Sequence, residues 1–127
     1  MKKFISLLLV LILVIALAAH AMTLSSNMTY KRENNTIAGT NYSIELGASA
    51  SRATAEVTYG KNTNLSVQIG ATLINSNSHA YAETLNTSDF STGLSVSTST
   101  SLKAGTEISA AYGTFYINST RKTLSIT

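Results

Sequence analysis

Apolar and polar residues alternate with a period of two along most of the chain. Ile44, Leu46, Ala48 and Ala50 alternate with Ser43, Glu45, Gly47 and Ser49. Ala53, Ala55, Val57 and Tyr59 then alternate with Arg52, Thr54, Glu56 and Thr58. A period of two is the pattern of a strand with one buried face. The apolar phase slips from even to odd numbers near Ser51-Arg52, which predicts a bulge or a tight turn there. Gly60-Lys61-Asn62-Thr63 reads as a hairpin connection, followed by a strand with Leu65, Val67, Ile69, Ala71 and Leu73 inward. Asn75 to Ser78 reads as a polar turn.

Beyond that turn, Ala80 to Leu85 predicts a short strand, and Asn86-Thr87-Ser88-Asp89 another turn. Leu94, Val96, Thr98, Thr100 and Leu102 alternate against an almost pure Ser/Thr face. Lys103-Ala104-Gly105-Thr106 turns the chain. Ile108 to Ile117 is apolar on both faces and predicts a strand in the middle of the sheet. Asn118 to Lys122 turns again before a final strand with Leu124 and Ile126. The expectation is an all-β fold: a small antiparallel β-sandwich, or a small barrel, of six to eight short strands. It occupies residues 41–127. Residues 22–40 are poorly patterned and read as an N-terminal arm or an early edge strand.

The N-terminus carries a different pattern. Lys2 and Lys3 precede an apolar run from Phe4 to Leu17 broken only by Ser6, and Ala19-His20-Ala21 fits the small-x-small cleavage rule. These are the three parts of a secretory signal peptide, so residues 1–21 are expected to form a helical signal cleaved after Ala21. The run from Phe4 to Ala19 is 16 residues, short of the roughly 20 that span a bilayer. The mature chain is expected outside the cell, with no membrane span. Without cysteine it has neither a lipidation site nor disulfides, and packing and hydrogen bonds alone must hold it together.

Composition supports this reading. From Met22 onward there are 17 Ser, 18 Thr and 10 Asn among 106 residues. Short hydroxyl and amide side chains compete with helical backbone hydrogen bonds, which disfavours long helices. Once Lys2 and Lys3 are set aside, seven basic residues face six acidic ones. That balance lacks the concentrated basic face that nucleic acid requires.

The candidate chemistry is sparse. From Met22 onward the only histidine is His79, in a polar turn, where it reads as a solvated loop residue. No Gly-x-Ser-x-Gly turn is present to raise a serine for a triad with His79 and Asp89. One histidine and dispersed carboxylates do not make a zinc or calcium site, and no phosphate-cradling glycine loop occurs. The expectation is a protein without cofactor or metal and without enzymatic activity. Candidate contact residues are Tyr42 and Tyr81, read as surface aromatics, and two basic doublets, Lys31-Arg32 and Arg121-Lys122. If the doublets meet they form a cationic patch for an anionic cell surface or wall polymer. Tyr59 and Tyr112 are expected in the core. Sequons at Asn27, Asn34, Asn41, Asn64, Asn86 and Asn118 are candidate glycosylation sites. They are a mild excess over what so Ser/Thr-rich a composition yields by chance.

The stretch Ala53 to Tyr59 (Ala-Thr-Ala-Glu-Val-Thr-Tyr), a polar turn, Leu65 to Ala71 (Leu-Ser-Val-Gln-Ile-Gly-Ala), a Ser/Thr-rich strand and a closing aromatic strand together resemble small exported β-sandwich proteins of Gram-positive bacteria. Some of these are grouped with lactococcin-type bacteriocins. The resemblance spans roughly residues 42–127 and is one of style. It implies export and bacteriocin-like action on neighbouring cells, and it carries over no individual residue role.

Three functions follow as expectations. The first is a secreted, non-enzymatic β-sandwich that binds or displays at the cell exterior. A self-assembling matrix or filament subunit is the second, because absent proline and few charges leave strand edges unguarded. The third is a hydrolase built on two facing carboxylates. A membrane-spanning barrel is disfavoured, since 106 residues fall short of eight tilted spanning strands with loops.

Overall fold

The computed structural model describes residues 22–127, so the signal-peptide reading, with Ala19 and Ala21, lies outside the described residues. The described chain is all-β. Six strands, β1 (Thr29–Ile37), β2 (Thr40–Ala48), β3 (Ala53–Asn75), β4 (Tyr81–Ser99), β5 (Thr106–Ile117) and β6 (Thr120–Ile126), form one antiparallel sheet that curls into a nearly closed, barrel-like shape. The strand order is β1-β2-β3-β5-β6, with β4 paired to β3 off that path.

Strand β3 organises the sheet. It is 23 residues long, far beyond the usual five or six. One edge pairs with β4 along almost its whole length, from Thr54↔Ser99 to Ile74↔Tyr81. Two strands share its remaining pairings: β2 takes Ala53 to Tyr59, and β5 takes Leu65 to Asn75. The expected hairpin at Gly60–Thr63 is therefore not a reversal. The chain runs on through it, and the ladder to β4 skips between Thr58 and Thr63. The reason is phase. Ala53, Ala55 and Val57 before this corner and Leu65, Val67 and Ile69 after it are all odd-numbered and all buried. One continuous strand can bury both sets on the same face.

The turn expected at Asn86–Asp89 also lies within a strand, β4, where Asn86 pairs with Gly70 and Asp89 with Val67. A ready ladder along β3 outweighs local turn chemistry. The phase slip at Ser51-Arg52 is a turn, closed by the Ser49 N–H donating to the Arg52 carbonyl at 2.8 Å. Ala38 and Gly39, both with positive φ (50° and 78°), make the two-residue β1–β2 turn, in the backbone form that matches strand twist. Residues 22–40 belong to the sheet through β1, an edge strand. Ahead of it, the Leu24 N–H donates to the Ile108 carbonyl and the Ala50 N–H to the Ser25 carbonyl, at 2.9 and 2.8 Å.

The core fills the inside of the curl. Of its eleven largest fully buried side chains, β3 contributes Val57, Leu65, Val67, Ile69, Leu73 and Ile74, β2 contributes Ile44 and Leu46, and β5 contributes Ile108, Phe115 and Ile117. Strand β4 contributes none. Each such side chain stabilises the fold by about 1.5–3 kcal/mol relative to exposure. The fold therefore rests on β3 and its β2 and β5 neighbours, with β4 attached mainly by its ladder.

Two glycines in the sheet differ in what surrounds them. A Cβ on Gly113 would lie 2.8 Å from Phe115 Cε2 and 3.3 Å from Leu46 Cδ1, and both side chains are fully buried. A Cβ on Gly47 would lie 2.7 Å from the ring of Tyr30 and 2.8 Å from Thr54 Oγ1, but Tyr30 is 58 % exposed and Thr54 only half-buried, so both side chains can shift. Gly113→Ala is accordingly expected to destabilise by about 1–3 kcal/mol through overpacking, and Gly47→Ala by clearly less. Chemical denaturation of the two variants against the parent chain checks the order.

Candidate functional site

The strands leave a seam where β1 and β6 approach each other without a hydrogen-bonded ladder. Three of the four doublet cations gather there. Lys31 from β1 and Arg121 from β6 line one groove of about 530 Å³ with Tyr112, Gly113, Thr114, Thr123, Leu124 and Ser125. The β5–β6 register builds its floor by setting Tyr112 opposite Ser125 and Thr114 opposite Thr123. Among the described residues the ion pairs are Arg32–Glu45 and Lys103–Glu83, so Lys31 and Arg121 carry uncompensated charge. The groove combines two cations, an exposed phenol ring and a floor rich in hydroxyls.

The fourth cation is elsewhere. Arg32 and Lys31 are neighbours in a strand, so their side chains leave opposite faces. Arg32 donates from Nε to Glu45 Oε2 at 2.9 Å, with a second contact from its Nη2. Glu45 in turn stands directly opposite Glu56 across the β2–β3 ladder. These two acids share a groove with Arg52 and Asp89, so three carboxylates line it. The Arg32 pairing engages Glu45 in an ion pair.

Tyr42 is a correction to the surface assignment. It is 4 % exposed, because it extends the even-numbered inward phase of Ile44, Leu46 and Ala48. Its hydroxyl donates to Glu33 Oε2 at 2.6 Å, and Lys122 Nζ lies 5.5 Å from its ring centroid. Glu33, Tyr42 and Lys122 come from β1, β2 and β6 and tie the seam together behind the groove. Burial, first, and the bond to Glu33, second, raise the Tyr42 pKa above its ordinary value, with Lys122 opposing.

Tyr81 is exposed as expected, at the start of β4, with its hydroxyl 3.2 Å from Thr84 Oγ1. It takes no part in the seam groove. Tyr59 is half-buried against the core, and its hydroxyl donates to the Ile37 carbonyl at 2.9 Å. Tyr112, expected in the core, is 48 % exposed. A register shift between Thr72 and Leu73 moves β5 from Ile108 inward to Ala111, Phe115 and Ile117 inward. That shift turns Tyr112 and Tyr116 outward. The signal available was the odd-numbered set Gly113, Phe115 and Ile117, obscured by alanines in both phases.

His79 sits exposed in the β3–β4 turn with a positive φ of 57°. Asp89 lies eight residues beyond Tyr81, about 27 Å along the strand at roughly 3.4 Å per residue, so the structure does not bring the two together. All six sequon asparagines, Asn27, Asn34, Asn41, Asn64, Asn86 and Asn118, are exposed. Asn118 occupies the β5–β6 turn with φ 54°, whereas Asn86 lies within β4 rather than in a turn.

Comparison of the chain with protein-family models, with curated proteins and with solved structures finds no match.

Because the Tyr42 pKa is raised in the folded chain, unfolded chains ionise this phenol first. Its contribution to stability is fully present below the ordinary tyrosine value of about 10 and is lost as pH rises from there through the raised value. Tyr42→Phe is expected to cost about 1–2 kcal/mol at neutral pH through the lost bond to a carboxylate. It is also expected to flatten the alkaline fall in stability. Denaturation followed by circular dichroism between neutral and strongly alkaline pH checks both.

Proposed function

We propose that this chain is a secreted, non-enzymatic protein that works by contact at the cell exterior. It holds an anionic, hydroxyl-rich polymer of the cell surface or wall in the β1–β6 seam groove. The observation that carries this reading is the convergence of Lys31 and Arg121 beside Tyr112, from strands at opposite ends of the sheet order. Two uncompensated cations attract anionic groups. The exposed face of Tyr112 offers amphipathic contact area, and Thr114, Thr123 and Ser125 offer donors and acceptors to hydroxyls.

The export-type N-terminus, with Lys2-Lys3, the Phe4–Leu17 run and Ala19-His20-Ala21, supports an extracellular location. The exposed Ser/Thr/Asn surface suits that setting. A contact role is also supported by the separation of His79 from Asp89 and by the ion pairing of Glu45. A curled, barrel-like sheet of this kind presents its groove on strands rather than loops, which keeps the cations at a fixed spacing.

The reading is tested by titrating the protein with polygalacturonate, an anionic glycan, and with dextran, a neutral one. Polygalacturonate is expected to bind and to weaken as salt is raised, because surface charges are screened. Lys31→Ala and Arg121→Ala should each lower affinity several-fold and flatten the salt dependence. Tyr112→Ala should lower it with the salt dependence retained. Equal affinity for dextran, or no effect of Arg121→Ala, contradicts the proposal.

A further inference from the structure

Strand β4 has one partner. It pairs with β3 along its length and packs on no other strand to comparable extent, while β1 and β6 close toward each other on the far side of the curl. Among the described residues, β4 therefore holds the one long strand edge that faces no other strand. An edge of this kind presents unpaired N–H and C=O groups at every second residue. Two of the usual guards, proline and lysine, are missing, and the ladder irregularities lie outside the stretch Glu83 to Gly93. The chain has no proline, and β4 carries no lysine and two acids, Glu83 and Asp89. Lys103 Nζ already lies 2.8 and 3.0 Å from the two Glu83 oxygens.

A second, independent observation marks the same strand. Of the seven large hydrophobics exposed among the described residues, Tyr81, Phe90 and Leu94 lie on β4, at 63, 66 and 56 % exposure. Phe90 and Leu94 stand four residues apart, and exposed apolar side chains close together on an open edge are a mark of an interaction surface.

We infer that the open edge of β4 pairs with the β4 edge of a second copy of this chain, antiparallel and about a two-fold axis at Ser88. The ladder to β3 is regular between Glu83 and Gly93 and irregular on either side, at Leu73/Ile74 and Thr58/Thr63. The midpoint of the regular piece is Ser88. A pairing centred there keeps inward residues opposite inward residues, as one continuous sheet requires. It sets Asp89 opposite Thr87 of the second copy, a hydroxyl that can donate to the carboxylate, and Phe90 opposite Asn86. Centring one residue later would set Asp89 against itself, and like charges directly opposite are destabilising. Each molecule offers one such edge, so the pairing is self-complementary and closes at two copies instead of growing into a filament. This inference is independent of the seam groove, which lies on β1, β5 and β6.

Sedimentation velocity of the purified protein from low to high micromolar concentration should show a monomer–dimer equilibrium that saturates at two copies. In this cysteine-free chain, Ser88→Cys places one thiol on the axis, opposite its own counterpart and within disulfide reach. Thr84→Cys, opposite Thr92, does not. Both positions are exposed, so neither substitution disturbs the core. Mild oxidation should yield a covalent dimer with Ser88→Cys and none above background with Thr84→Cys. A monomer at every concentration, species larger than two copies, or equal crosslinking of the two variants overturns the inference.

Discussion

The fold depends on one strand, β3, being paired on both edges while the odd-numbered side chains of its two halves, Ala53 to Val57 and Leu65 to Leu73, are buried on one face. Along β3, every buried residue from Ala53 to Leu73 is odd-numbered. A slip of one residue anywhere in that run would turn half the core into solvent. The corner at Gly60–Asn62 lets the strand change direction without changing phase. It divides the pairing with β2 from the pairing with β5 and so lets a single sheet curl round its own core. With no disulfide available, this shared phase is what fastens the β1–β2 and β5–β6 halves of the sheet to each other.

The seam is a consequence of that curl. Strands β1 and β6 stand at the two ends of the order β1-β2-β3-β5-β6, and curling brings them together without hydrogen bonds between them. A seam with no ladder needs another closure, and Glu33, Tyr42 and Lys122 supply it through one hydrogen bond and one cation–ring contact. The same approach delivers Lys31 and Arg121 to one groove. Structural closure and the candidate binding surface are thus two faces of one geometric event. Lys122 and Glu33 face inward toward Tyr42, and Lys31 and Arg121 edge the groove beside it.

Much of this was legible in the sequence, because period-two alternation reports directly on a half-buried strand. The inward sets of β2, β3 and β6 and the turns near Ser51, Asn75, Lys103 and Asn118 could all be read from it. Two kinds of feature were hidden. Strand lengths were one: Gly60–Thr63 and Asn86–Asp89 have the composition of turns, and only the unbroken odd phase from Ala53 to Leu73 hinted that the first is a corner within a strand. The tyrosines were the other. Tyr42 continues the even phase of Ile44 and belongs inside by that rule. Tyr112 was obscured because alanines fill both faces of β5 and a register shift near Ser109 resets the phase. The meeting of Lys31 with Arg121 could not be read locally at all, since it depends on how far the sheet curls.

Amide hydrogen exchange followed residue by residue tests the role of β3 most directly. Elements whose opening requires global unfolding exchange last. If β3 holds the sheet together, the amides of Ala55 and Val57 before the corner and of Val67, Ile69 and Ala71 after it should be among the slowest in the protein, with a common free energy of opening. A first half that opens independently of the second, or a β4 edge protected as strongly as β3 in the monomer, would contradict it.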